Sequence, residues 1–169
     1  MSEEQSATLH PGSFLGILFL GCAFTLIALL PLDLTTGGVP MPDLAFVLIA
    51  AMVIRRPAQI PLISVILLAF FGDLIIPRPF GPHAIAVILA SEFLRGRLEG
   101  RNDLSLLLEW ALVAATFAAL IVFVQLMLSV TGIPLPPPRV MLKWWLLTVM
   151  AYPFMVALAA LIPNSRGDY

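Results

Sequence analysis

Apolar stretches, separated by short polar or proline-rich connectors, run along almost the whole chain. The first of them, from Phe14 to Leu30, contains no charged residue. Lipid offers a bare backbone no hydrogen-bond partner, so an apolar run of about 18 residues or more is typical of a helix that crosses a membrane. The pattern predicts an all-α, polytopic membrane protein in which residues 1–169 form a single transmembrane domain. The predicted spans are about 13–32, 42–54, 60–76, 81–94, 104–130 and 140–162.

Prolines mark most of the boundaries between these spans, because proline removes a backbone donor and restricts the residue before it. Pro153 differs from the others, since it lies inside the last span and is predicted to kink it. The core of the second span, Leu44–Ile54, would be only about 17 Å long as a helix, whereas the hydrocarbon core of a bilayer is about 30 Å thick. The sequence therefore predicts six transmembrane helices, or five if this segment does not cross.

Charge supports the membrane class and sets an orientation. Charged residues make up 11% of the chain, whereas a soluble domain carries roughly 25%. The net charge of −1 indicates no large basic surface for nucleic acid. Cytoplasmic loops carry an excess of Lys and Arg, which predicts a multi-pass protein whose C-terminus is cytoplasmic. Six spans then leave Arg78, Arg139 and Lys143 outside and place inside Arg55, Arg56, Arg95, Arg97, Arg101 and Arg166.

Several ionisable residues fall near the predicted outer ends of the helices, namely Asp33, Asp43, Asp73, Arg78, His83, Arg139 and Lys143. Charge at membrane depth is costly, so this group calls for an explanation. It is consistent with inter-helix ion pairs, with a surface that binds a partner, or with the mouth of a ligand pocket. Asp43 follows a proline at a helix start, where a carboxylate caps free N–H groups and meets the positive end of the helix dipole.

At the inner ends, Glu92 and Arg95 are three residues apart on one helical face, which predicts an ion pair. The alternative for Glu92 and Glu109 is a proton relay, but a relay needs acidic groups through the middle of the spans, and that region is apolar. The chain has no metal-binding HExxH, no nucleophile elbow, no P-loop and no CxxC. The sequence therefore predicts a protein that is not an enzyme and that needs no cofactor or metal, and the single Cys22 is predicted to be a small apolar filler.

Small residues at helical spacing predict close contacts between helices in lipid. The clearer case is the stripe of Ala111, Ala115 and Ala119 in the fifth span, and the weaker one is the pair Gly12 and Gly16 near the start of the chain. The three tryptophans are predicted to lie near the membrane interfaces, where aromatic side chains are enriched.

Four short motifs follow one another between the second and fourth spans: Pro42-Asp43-Leu44, Arg55-Arg56-Pro57, Gly72-Asp73-Leu74 and Pro79-Phe80-Gly81. Their order and spacing resemble the MreD family of bacterial rod shape-determining proteins. In that family a Pro-Asp pair opens one apolar helix, an Arg-x-Pro-like turn follows, and a Gly-Asp element precedes a Pro-Phe-Gly or Pro-Leu-Gly turn. The motif match covers about residues 42–97, and the remainder agrees in length and hydropathy.

The resemblance implies a non-enzymatic scaffold subunit of the cell-elongation machinery in the bacterial inner membrane. Such a subunit binds MreC and supports peptidoglycan synthesis by RodA–PBP2, in an assembly that also contains MreB. The resemblance further implies a fold similar to the S-components of energy-coupling-factor transporters. Together with the alanine stripe, it singles out eight residues as structural or partner-binding: Asp43, Asp73, Gly81, Arg55, Arg56, Ala111, Ala115 and Ala119.

Two other functions stay open. A vitamin-binding S-component has the same size and predicted fold, although the first outer connector, Asp33–Met41, contains no aromatic residue for a ligand pocket. An ion- or proton-coupled carrier would use Asp73 and Glu92, and it ranks last because the span centres are apolar.

Overall fold

The computed structural model describes residues 11–29, 40–98 and 105–161. Within these residues the chain forms six α-helices, one 3-10 turn and no strand, which confirms the all-α class. The helices are α1 (Pro11–Ile27), α2 (Leu44–Arg55), α3 (Leu62–Ile75), α4 (Pro82–Leu98), α5 (Leu106–Val130) and α6 (Pro138–Leu161). Three charged residues of the orientation argument, Asp33, Arg101 and Arg166, lie outside the described residues.

Two of the helices, α5 and α6, are long and apolar enough to cross a membrane, judged by length and composition. Residues 14–27 of α1, together with α2 and α3, form shorter apolar helices. All six helices begin and end within a few residues of the apolar stretches that the sequence pattern marks out, because prolines occupy most of the boundaries.

The last turn of α4 is the part that the hydrophobic pattern misses. The apolar stretch ends near residue 94, but the helix continues through two arginines to Leu98. Arg95 Nε lies 3.1 Å from Glu92 Oε1, which confirms the predicted ion pair. The same guanidinium donates to the carbonyls of Pro57 (3.3 Å) and Ile60 (2.9 Å) in the α2–α3 connection. These bonds hold the polar turn in place, and arginines near a helix C-terminus also stabilise its dipole.

Helix α2 is the centre of the fold. Every residue from Phe46 to Val53 is buried, so the helix has no face toward solvent or lipid. It packs against α1, α4 and α6, while α3 packs between α1 and α4, and α5 packs between α4 and α6. A helix that is apolar all round is typical of such a fully enclosed position. Because neighbours cover it on all sides, its length of about 18 Å does not have to match the thickness of a bilayer.

The outside of the other five helices carries large apolar side chains in contact with the surroundings. The exposed fraction is, for example, 78% at Phe19 on α1, 73% at Leu74 on α3 and 76% at Phe154 on α6. Water-soluble monomers rarely expose continuous apolar surface on this scale, and such surface is typical of contact with lipid or with a partner.

A tryptophan of α5 donates the hydrogen bond that the backbone of α6 lacks at Pro153. Pro153 has no N–H, so the carbonyl of Val149, four residues earlier, loses its normal helical donor. The indole Nε1 of Trp110 donates to that carbonyl at 2.8 Å. A second bond runs in the other direction, from Trp145 Nε1 on α6 to the carbonyl of Ala114 on α5 at 2.9 Å. These tryptophans thus join two antiparallel helices.

We expect Trp110→Phe to lower the free energy of unfolding by about 1 kcal/mol, because the Val149 carbonyl would then lack a donor inside an apolar bundle. Pro153→Ala supplies the missing N–H, so the cost of Trp110→Phe should be smaller in the Pro153→Ala background. SDS-induced unfolding of the four proteins of this double-mutant cycle in mixed micelles measures the coupling. If Trp110→Phe lowered the free energy of unfolding equally in both backgrounds, the Trp110 side chain would not compensate for the donor that Pro153 lacks.

Helices α1 and α3 meet at Gly21. A Cβ atom built on Gly21 would lie 2.6 Å from a terminal methyl group of Leu68, which is itself 2% exposed. At Gly16 a Cβ atom would meet nothing within 4 Å. The close approach that the sequence assigned to the pair Gly12 and Gly16 is thus found at Gly21 instead. The side-chain surroundings of Gly12 are outside the described part of the chain.

Gly21→Ala should therefore destabilise the protein by about 1–3 kcal/mol through overpacking against Leu68, while Gly16→Ala should be neutral or slightly stabilising. Thermal unfolding midpoints of the two variants in the same detergent give the comparison. Leu68→Ala should recover part of the loss in the Gly21→Ala background. Similar midpoints for the two glycine variants would contradict the assigned contact.

Candidate functional site

The turn between α3 and α4 is built around a buried carboxylate. The side chain of Asp73 is 0% exposed and lies near the end of α3. Its Oδ1 accepts from Arg78 Nε at 2.8 Å, and its Oδ2 accepts from the backbone N–H groups of Gly81 and Ala84, each at 2.9 Å. Asp73 thus supplies to the first turn of α4 the acceptor that a local N-cap residue would otherwise give. Gly81 has φ +107°, a left-handed conformation that favours glycine.

His83 connects this turn to the beginning of α2. Its Nε2 lies 2.8 Å from Asp43 Oδ2, and its Nδ1 lies 3.7 Å from Asp73 Oδ1. Asp43 caps α2 as expected, because its Oδ1 accepts from the N–H of Phe46 at 3.0 Å. The backbone N–H of Asp43 in turn donates to Thr148 Oγ1 on α6 at 3.0 Å. We call Asp43, Asp73, Arg78 and His83 the Asp73 cluster; it joins four helices at one end of α2.

The opposite end of α2 carries a second polar group. Arg55 Nη2 pairs with Glu109 Oε2 of α5 at 2.8 Å, and the same oxygen lies 3.4 Å from the hydroxyl of Tyr152 on α6. Glu109 is 8% exposed and Tyr152 is fully buried. The backbone N–H of Arg56 closes the helix by donating to the Met52 carbonyl at 2.7 Å. This ion pair joins α2 to α5 and α6, as the Asp73 cluster joins helices at the other end.

The site residues that the sequence predicts on α2, α3 and the α3–α4 turn divide between these two polar groups. Asp43, Asp73 and Gly81, which come from three different motifs, lie in one polar cluster, in which His83 bonds to Asp43 and approaches Asp73 to 3.7 Å, whereas Arg55 and Arg56 lie at the far end of α2. Arg139 and Lys143, predicted on the same side as the cluster, have exposed side chains and make no ion pair with another described residue. In both groups the carboxylates accept hydrogen bonds from other parts of the chain, which is the chemistry of a clamp between helices.

The alanine stripe lies on the outer surface of α5. Ala111, Ala115 and Ala119 are all exposed, so none of the other described helices covers the stripe. Ala115 and Ala119 line an apolar groove of about 380 Å³ between α4 and α5, together with Leu89 and Phe93. Ala111 does not line this groove. Successive residues of the stripe are four positions apart, so each is rotated by about 40° around the helix axis relative to the one before it. The three alanines therefore do not all face the same neighbouring helix.

A vestibule of about 330 Å³ opens beside the Asp73 cluster, at the beginning of α2. Its polar lining includes Asp43, Arg78 and His83, and its walls include Phe24 of α1 and Trp144 of α6. The aromatic residues that the first connector lacks are thus supplied by two helices. Its size falls within the range of small-molecule pockets.

No family model, no curated protein and no solved structure matches the chain. The resemblance to the MreD family therefore stays a prediction, which rests on the four motifs and on the hydropathy pattern.

The sequence pattern predicts no role for His83, and it does not pair Thr148, Tyr152 or Trp110 with distant groups. His83 and Asp43 are 40 residues apart, and Arg55 and Glu109 are 54 apart. A single sequence contains no local pattern that pairs residues across such distances. The one available indication was that each residue is polar within or beside an apolar segment, where a polar group needs a partner.

Proposed function

We propose that the chain is a polytopic membrane protein with six spans, and that it serves as a non-enzymatic scaffold subunit of the bacterial cell-elongation machinery. In this function it binds MreC through the membrane and supports peptidoglycan synthesis by RodA–PBP2, with MreB in the larger assembly. The protein lies in the inner membrane with its C-terminus in the cytoplasm.

The apolar outside of the helices supports the membrane part of the proposal. Exposed leucine and phenylalanine side chains on α1, α3, α4, α5 and α6 suit a lipid environment, while ionisable side chains collect at the two ends of the central helix. Polar groups near helix ends, paired with one another, cost less in a bilayer than isolated charges at its centre. The short α2 crosses as a helix that touches protein instead of lipid.

The convergence of the motifs is the observation that carries the family proposal. The Pro-Asp, Gly-Asp and Pro-Phe-Gly elements are separated in sequence, but Asp43 bonds to His83, which lies beside Asp73, and Asp73 in turn accepts from the N–H of Gly81. Residues that depend on one another in this way form one structural unit, which favours a common origin of the motifs over a chance succession of short matches.

The groove between α4 and α5 is the partner surface that we favour. A single-span partner such as MreC presents one helix, and two helices approach closely in lipid where small residues leave the backbone accessible. Ala115 and Ala119 provide such a strip beside the exposed Leu89 and Phe93. The side chains of Asp43 and Asp73 are engaged within the chain, so we assign them to the fold and not to direct contact with the partner.

Co-purification tests this function. The tagged full-length chain is expressed together with the MreC of the same genome and extracted in a mild detergent, and an unrelated single-span protein at equal abundance serves as the control. We expect the chain to retain MreC and not the control protein. Failure to retain MreC, with both proteins abundant and folded, would rule out the proposal.

The vestibule beside the Asp73 cluster favours one second candidate, a vitamin-binding S-component. A protein of that kind would carry a tightly bound small molecule through purification. Mass spectrometry of the material released when the purified protein is denatured separates the two functions, because a scaffold that only binds MreC releases no stoichiometric vitamin.

A further inference from the structure

A second cavity, of about 300 Å³, lies behind the Asp73 cluster, between the beginning of α4, the end of α5 and the beginning of α6. We propose that it binds a small amphiphile: a molecule with an anionic oxygen headgroup, carboxylate or phosphate, on an apolar body. Either a membrane lipid or a water-soluble organic acid could supply this chemistry. The inference is independent of the proposed function, because it concerns neither MreC nor the α4–α5 groove.

Arg78 gives the cavity its charge preference. The guanidinium is fixed by one bond, from Nε to Asp73 Oδ1 at 2.8 Å, and no hydrogen bond joins its two terminal amino groups to any described residue. Asp73 is wholly buried and does not line the cavity, and neither does Asp43. Among the residues that line the cavity, Arg78 is thus the one that carries a permanent charge. A guanidinium held in this way is suited to bind a carboxylate or phosphate through paired N–H donors.

One buried polar atom that has no hydrogen-bond partner among the described residues, and that no ion-pair neighbour faces, lies on a residue lining the same cavity. It is Oε1 of Gln125 on α5; Nδ1 of His83 also makes no hydrogen bond, but it faces Asp73 Oδ1 at 3.7 Å. Buried polar atoms in proteins are nearly always hydrogen-bonded, so each such atom calls for a partner. The oxygen and nitrogen of the Gln125 amide exchange by a half-turn of the group, which would let it donate to an anionic headgroup.

The rest of the lining suits an apolar body. Prolines of the α3–α4 and α5–α6 connections, the aliphatic residues Ile121, Val124 and Leu128 of α5, and the ring of Trp144 form the walls. A mostly apolar cavity with a few polar groups on one side is the usual form of a small-molecule site. The cavity and the vestibule share Arg78, His83, Met141 and Trp144, which therefore form the partition between them.

Quenching of Trp144 fluorescence by brominated probes tests the proposal on the purified full-length chain in detergent. Dibromostearate serves as the membrane-like acid, bromophenylbutanoate as the soluble acid, and the methyl ester of each as its uncharged match. We expect saturable quenching by at least one acid, with its ester binding at least tenfold more weakly. Arg78→Gln should weaken acid binding about tenfold and abolish the difference between acid and ester. Which acid binds more tightly identifies the source of the ligand.

Variants that place a larger side chain in the cavity test the proposal even if Arg78→Gln does not fold. Val124→Phe fills the cavity and should reduce acid binding at least tenfold, whereas Val122→Phe, the same change on the outward face of α5, should leave it unchanged. Trp144→Phe should remove most of the quenching. Equal binding of acid and ester to the wild-type chain, or no saturable binding at all, would overturn the proposal. Loss of binding in Ala28→Phe, which narrows only the vestibule, with normal binding in Val124→Phe would also overturn it.

Discussion

Replacing Asp73 by alanine should lower the free energy of unfolding by about 3–5 kcal/mol, the largest stability effect that we expect from a single substitution. Three groups lose their acceptor at once: the guanidinium of Arg78 and the N–H groups of Gly81 and Ala84. The first turn of α4 would then be uncapped, and His83 would lose the neighbour that faces its Nδ1. SDS-induced unfolding in mixed micelles, followed by tryptophan fluorescence, measures the change.

Glu92→Ala is the matched control for this experiment. It also removes a carboxylate that pairs with an arginine, but Glu92 is 43% exposed and its pair with Arg95 lies at the surface. Exposed pairs contribute about 0–1 kcal/mol, so this variant should unfold almost as the wild type does. If the two variants lost similar small amounts of stability, Asp73 would not be the centre of the α3–α4 turn.

The second large effect should appear in partner binding. Ala115→Phe places an aromatic ring in the groove between α4 and α5, where we propose that the helix of MreC packs. We expect at least tenfold less MreC to be retained on the tagged chain, because the two helices could no longer approach closely. Ala115 is exposed, so the fold itself should tolerate the change, and the thermal midpoint should stay near that of the wild type.

Ala157→Phe provides the corresponding change on another helix. Ala157 is an exposed alanine on α6, away from the groove, so this variant should retain MreC normally. If the Ala115→Phe variant retained MreC normally, or if both variants lost MreC equally, the groove would not be the surface that binds MreC. The co-purification proposal would survive that result if the wild-type chain still bound MreC, since another face would then carry the contact.

Local features of the fold could be predicted from the sequence because their causes are local. Apolar stretches ended by prolines gave the helices, a proline followed by Asp43 gave the cap of α2, and the three-residue spacing gave the pair of Glu92 and Arg95. Each of these depends on neighbours within about one helical turn, which a single sequence displays directly.

The arrangement of the helices could not be predicted in the same way. In a water-soluble bundle, the polar face of each helix indicates which side is outside. In this chain the outer faces are as apolar as the inner ones, so nothing in the pattern singled out α2 as the central helix. Because the outer and inner faces are equally apolar, the sequence shows the alanine stripe but not whether it faces another helix of the chain or the outside. For the same reason it does not show that His83 and Asp43 lie together.

Cysteine accessibility in intact cells tests the central claim most directly, which is that the helices cross the membrane in alternating directions. Native Cys22 is replaced by serine, and single cysteines are placed at Ser2, at Ala58 in the α2–α3 turn and at Leu135 in the α5–α6 connection. A membrane-impermeant maleimide should label the cysteine at Leu135 in intact cells, and should label those at Ser2 and Ala58 only after permeabilisation. Labelling of the Ala58 and Leu135 positions from the same side, or recovery of the protein in the soluble fraction, would contradict the account.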